Sequence, residues 1–177
     1  LDLADLSSVV RASKLLDSRR IHILIANAGL LPRQYATSVQ GHELAFATNV
    51  LGHFLLIRCL LSNLEEGSRV VVVTGDIYCL TKACTPDYTY QGSLGALLAS
   101  CRSKLGNLWL VAELQRRYDK LLILGVHPGV VASNLGGARS APSERGRRRG
   151  IAINSVRGAQ TSLICATQPN LLPGGYY

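Results

Sequence analysis

Ile21-His22-Ile23-Leu24-Ile25-Ala26-Asn27-Ala28-Gly29 is an apolar run that stops at a glycine. Isoleucine is stiff at χ1 and packs well on a pleated surface, and six residues are too few for a typical buried helix. The run therefore reads as a buried strand, Ile21–Ala26, ending in a turn. Val70-Val71-Val72-Val73 reads as a second such strand, and Leu121-Leu122-Ile123-Leu124-Gly125-Val126 as a third, stopped by His127-Pro128-Gly129. Around them the apolar spacing predicts helices over 41–61 and 92–117, and a weaker one near 159–166. Asp5 is placed to cap a helix running through Val9, Val10, Leu15 and Leu16, and the tail 171–177 is expected to end in a short strand. Strands apolar on both faces, alternating with helices, predict an α/β domain with a doubly wound parallel sheet covered on both sides. Such sheets bind ligands at the carboxyl ends of their strands. Asn27, Thr74 and His127-Pro128-Gly129 fall at those ends.

The 177 residues fit one domain, 1–177. With 47% hydrophobic and 17% charged residues, the composition is that of a chain with a buried core and excludes a disordered segment. No apolar run is long enough to span a membrane, and the acidic start Leu1-Asp2-Leu3-Ala4-Asp5 is not a secretory leader. The net charge of +8 owes much to Arg139, Arg145, Arg147, Arg148 and Arg149, which lie in a Gly/Ser/Pro-rich stretch. Segment 136–150 is read as a flexible, solvated loop, and with no interleaved aromatics it does not argue for nucleic-acid binding. Five cysteines with no C-x-x-C pair, and four histidines without ligand spacing, predict reduced thiols, no metal site and a cytoplasmic setting. The chain contains no Met, even at position 1, and so reads as a processed or truncated piece.

Five features resemble the short-chain dehydrogenase/reductase family in order and spacing. They are Asp2-Leu3, Asn27-Ala28-Gly29 after a strand, Asn49 in the next helix, Lys104 in Ser100-Cys101-Arg102-Ser103-Lys104, and Pro128-Gly129-Val130-Val131-Ala132-Ser133. Gly158-Ala159-Gln160-Thr161-Ser162 is similar to the tail of the retinol-dehydrogenase-like branch. The resemblance implies a Rossmann-like domain and hydride transfer between NAD or NADP and a small hydrophobic alcohol or ketone. It implies that Asp2 meets the adenine and that Asn27, Ala28 and Gly29 line the adenosine side. Pro128, Gly129, Val131 and Ser133 would hold the nicotinamide. Lys104 would bind the nicotinamide ribose and acidify a neighbouring group, and Asn49 would support Lys104 through a water.

The chain departs from the family at three places. The family carries Tyr-x-x-x-Lys where this chain has Ser100, and a phenol, with a pKa of about 10 lowered by a cation, is the usual proton donor. Serine is far less acidic and several ångströms shorter, so it would need a bridging water. The family's strand-end Ser is Gly75 here, with Thr74 and Asp76 beside it. Tyr78 and Lys82 repeat the Tyr-x-x-x-Lys spacing but sit just past the strand, and Tyr78 is read as a pocket-wall residue. No Gly-rich phosphate loop stands ahead of the first strand, so the sheet is expected to lack the family's first βαβ unit and to bind the cofactor weakly or not at all. The strand Ile21–Ala26 would then be an exposed edge open to a second copy or another partner. Two readings follow: an oxidoreductase of weak activity, or a non-catalytic pseudoenzyme or truncated isoform that acts as an interaction module.

Overall fold

The computed structural model describes residues 1–16, 18–85, 88–90, 92–132, 135 and 152–177. The predicted Arg-rich loop 136–150 lies outside the described residues, as does Ser133. Three strands, β1 (Ile21–Ala26), β2 (Leu64–Val73) and β3 (Leu122–Val126), form one parallel sheet in the order β1-β2-β3. The tail extends it: Tyr176 bridges Gly125 in parallel, Tyr177 N donates to Gly125 O at 3.0 Å, and His127 N donates to Tyr177 O at 2.7 Å.

Strand side chains alternate between faces, and β2 shows the consequence. Val70 and Val72 pack with Ile123 against Leu110, Val111 and Leu114 of α4 (Gly95–Arg117) and against Ile57 of α3 (His53–Cys59). Val71 and Val73 pack on the other face with Leu124, Val126 and Cys165, which α6 (Gln160–Thr167) supplies. Arg69 fixes the end of that helix by donating to the carbonyls of Cys165 and Gln168 at 2.9 and 2.8 Å. β2 begins six residues before the valine run that predicts it, because Glu65-Glu66-Gly67 hides its start from an apolar count. β1 departs from the buried strand expected of it: Ile23 is 43% and Ile25 41% exposed. It pairs with β2 alone among the described residues, as expected of an edge.

Asp5 caps α1 (Leu6–Lys14) by accepting from Ser7 N at 2.9 Å. The helix predicted over 41–61 starts late, because Gly41 is held in a turn at φ +83. Buried Glu43 starts it instead, accepting from Ala45 N and Phe46 N at 2.8 Å each. The helix is also uneven. α2 (Leu44–Phe46) passes into a π-helical segment, Ala47–Gly52, before α3. Such wide turns recur where helices carry functional groups, and Asn49 sits in this one. Gly52 allows the segment to lie on the Leu3 backbone: a Cβ there would come within 2.8 Å of Leu3 Cβ and closer still to its carbonyl oxygen. Gly52→Ala is therefore expected to lower stability by about 2 kcal/mol, read as a shift in the urea midpoint. An unchanged midpoint would mean that this contact relaxes freely.

Downstream, α5 (Ser155–Gly158) is capped by Asn154, whose side chain accepts from Arg157 N, and leads directly into α6. No described helix is long and apolar enough to cross a membrane.

Candidate functional site

The carboxyl ends of β2 and β3 meet the middle of α4. Lys104 projects from α4 toward this edge, and its Nζ donates to Val73 O at 3.3 Å. Asn107, one turn on, donates to the same carbonyl at 3.3 Å. Burial favours the neutral amine and pulls the Lys104 pKa down to about 8. The Asn49 side chain makes three bonds. It accepts from Leu30 N at 2.9 Å and donates to Leu30 O and to Ser103 Oγ, each at 3.0 Å. It thus ties the turn after β1 to α4, one residue before Lys104. The Asn49 carbonyl faces the His53 Nδ1 at 3.0 Å. Burial, with a smaller contribution from Lys104, holds His53 below its usual pKa, so its neutral ring donates there.

Ser100 and Gly75, the two positions where the sequence was expected to depart from the family pattern, differ in surroundings. Ser100 is 3% exposed, enclosed on the inner face of α4, and its carbonyl accepts from Ser103 Oγ at 2.9 Å. Its side chain is therefore almost wholly covered by protein. Gly75 is extended (φ 173) at the end of β2. Beside it, the Thr74 hydroxyl donates to Lys104 O at 2.8 Å, so Thr74 anchors α4 and is not the free polar group considered from the sequence. Tyr78 lies on the 3-10 turn Asp76–Leu80 and packs edge-on against Tyr176, centroids 6.2 Å apart, which agrees with its reading as a wall residue.

One cluster was not recognised from the sequence. Tyr176 Oη donates to Asp76 Oδ1. Asp76 Oδ2 lies 3.9 Å from His127 Nδ1, and Gly129 N donates to that same nitrogen at 3.2 Å. Burial and the bond to Asp76 raise the Tyr176 pKa, so the phenol stays protonated. The sequence places His127-Pro128-Gly129 at a ligand-binding strand end but gives the His127 side chain no partner, and Tyr176 lies about a hundred residues from Asp76, so the cluster was not signalled.

The residues expected around a dinucleotide spread along the same edge. Asn27 and Ala28 are exposed at the end of β1, with Gly29 behind them. A Cβ on Gly29 would come within 3.1 Å of Asn49 Oδ1, so this turn needs its glycine to sit on the Asn49 clasp. Asp2 is exposed, and its carboxylate accepts from Ala4 N at 2.9 Å in a local turn. Gly129 turns the chain at φ +81, in the region open to glycine. Val131 bridges Ile153 and packs on Gly158, where a Cβ would come within 3.1 Å of Val131 Cγ1. These groups fit the nicotinamide and ribose end of a dinucleotide: a lysine, a clasped asparagine and a glycine-turned backbone at the strand ends.

No family model matches the chain. It is 34% identical to human retinol dehydrogenase 14 over 191 aligned residues, covering 100% of this chain and 56% of that protein. It is also 34% identical to human retinol dehydrogenase 12, covering 100% of this chain and 59% of that protein. The chain thus spans somewhat over half the length of the curated relatives it matches. Among solved structures, an uncharacterised protein from Mycobacterium paratuberculosis superposes with a TM-score of 0.77 at 34% identity, over 99% of this chain and 60% of that one. A short-chain dehydrogenase from Burkholderia cenocepacia, in complex with NADP, superposes with a TM-score of 0.73 at 17% identity, over 99% of this chain and 71% of that one, a likeness of fold.

Proposed function

Because this chain belongs to the short-chain dehydrogenase/reductase family, on its retinol-dehydrogenase-like branch, we propose that it serves an NAD(P)-dependent oxidoreductase acting on a hydrophobic alcohol or ketone. The observation that carries the reading is Lys104, held at the strand ends with its pKa lowered to about 8. A bound nicotinamide would supply or accept the hydride. In this proposal Lys104 holds the ribose hydroxyls and offers a proton near neutral pH, where an amine of this acidity works well as acid and base. Asn49 keeps the turn after β1 against α4, so the cofactor-facing residues Asn27, Ala28 and Gly29 stay in register with Lys104. Pro128, Gly129 and Val131, with Ser133 as the sequence suggests, would seat the nicotinamide amide. Ser100, being enclosed, adds little to proton transfer, and weak turnover is the expected result. The decisive experiment is NADPH binding and NADPH-dependent reduction of retinaldehyde by the native protein carrying this sequence. Saturable binding of NADPH, or of NADH in its place, with slow turnover supports the proposal, and binding of neither refutes it.

A second reading is favoured by the enclosure of Ser100: a non-catalytic protein on this fold. Its contact surface would be the β1 edge, where Ile23 and Ile25 are exposed, and its partner a second copy of this chain. Sedimentation of wild type and Ile25→Lys separates the two. A dimer dispersed by the lysine, without NADPH binding, supports the second reading, whereas a monomer in both rejects it.

A further inference from the structure

Resting on the hydride-transfer reading, we propose that His127 is the hydrogen-bond donor to the substrate oxygen, in the place left by the missing side chain of Gly75. Hydride addition to a carbonyl leaves negative charge on oxygen, and a fixed donor aimed at that oxygen is what lowers the barrier. The obvious candidates at this edge are already committed or withdrawn. Ser100 is enclosed, the Thr74 hydroxyl is bonded to Lys104 O, and Gly75 has no side chain. His127 lies against that gap: a Cβ built on Gly75 would stand 3.5 Å from His127 Cδ2 and 3.9 Å from Nε2.

The ring is also held in the state a donor needs. Gly129 N–H donates to Nδ1 at 3.2 Å, so Nδ1 carries the lone pair and Nε2 carries the proton. Asp76, 3.9 Å from Nδ1, is itself held by Tyr176 Oη. The backbone is pinned as well, since His127 N donates to Tyr177 O at 2.7 Å. The imidazole keeps 29% of its side-chain surface exposed, so the ring is open to an incoming group. When the hydride reaches the carbonyl carbon, the C=O π pair moves onto oxygen, Nε2–H stabilises the alkoxide, and a proton relayed from Lys104 through water completes the alcohol. The reverse sequence oxidises an alcohol.

The test uses the native protein carrying this sequence, with NADPH and retinaldehyde as the probe pair. His127→Ala is expected to lower kcat on the order of 10²-fold with little change in KM. His127→Gln, which keeps an N–H at similar reach, stays within about tenfold of wild type. Gly75→Ser added to His127→Ala recovers about tenfold or more, because it restores a donor and not the ring's packing. The atoms that would stand within 4 Å of the added Cβ belong to the His127 ring, which the alanine removes, and φ 173 suits any residue. Nitrogen NMR of the protein without substrate should show the Nε2–H tautomer at neutral pH. Dominance of the Nδ1–H form overturns the assignment without any appeal to turnover. Wild-type turnover that survives His127→Ala overturns the assignment alone. Absence of turnover in every variant overturns the hydride-transfer reading and this assignment with it.

Discussion

Ser100→Tyr is expected to raise NADPH-dependent turnover of retinaldehyde by about 10²- to 10⁴-fold, the usual contribution of a positioned acid. Positions 100 and 104 are neighbours one turn apart on α4, so a phenol at 100 stands beside the Lys104 ammonium. A cation there stabilises the phenolate and brings its pKa down from about 10. The longer side chain also carries its hydroxyl out of the enclosure that holds Ser100. Room for the ring must come from the 3-10 turn Asp76–Leu80, which packs on α4, so a modest loss of thermal stability should accompany the gain. The comparison is steady-state kinetics of the two proteins at matched cofactor saturation. A background rate for the tyrosine variant, with NADPH still bound, would refute the placing of Ser100 at the acid position.

Lys104→Met should act in two directions. Turnover falls by about 10³-fold, because cofactor orientation and the proton source go together. Stability rises at neutral pH. The folded state holds Lys104 at about 8, against an ordinary 10.5, so folding opposes its charge. Below pH 8 both states are protonated and the full penalty applies. Between pH 8 and 10.5 the unfolded chain binds the extra proton, so wild-type stability climbs with pH, and above 10.5 the penalty is gone. The variant lacks that slope. Discounting for partial exposure, it should exceed wild type by about 2 kcal/mol at pH 7.5, a margin that shrinks by pH 10. Urea unfolding at the two pH values measures this, and equal margins at both would show that Lys104 is not desolvated.

The strands were legible because valine and isoleucine runs have few other uses, and their parallel order followed from the helices between them. The Asp5 cap was legible for the same local reason, whereas the short strand expected in the tail is reduced to a single bridge at Tyr176. The π-helical turn around Asn49 was not, since nothing in Ala47-Thr48-Asn49-Val50 distinguishes a wide turn from an ordinary one. At the proposed site, Lys104 and Asn49 were singled out through the family resemblance, from the order and spacing of its motifs. What spacing does not carry is which hydroxyls are already bonded. Thr74, beside the strand end, is tied to Lys104 O, and Ser100, expected to act only through a bridging water, is enclosed. The grouping of Asp76, His127 and Tyr176 depends on the tail returning alongside β3, a contact between residues that are distant in sequence.

That same parallel register bears on how fast the chain folds. Ile21 pairs with Leu64, Arg69 with Leu122, and Gly125 with Tyr176, so each rung of the sheet closes a loop of about fifty residues. Among the described residues the strands of the sheet pair only in parallel, with no hairpin between them to nucleate it, so each of these pairings must first overcome a large loop entropy. Folding should therefore run in milliseconds to seconds, slower than for a helical bundle of equal size. During that time the valine run of β2, whose two neighbours both arrive from afar, is the stretch left longest without partners.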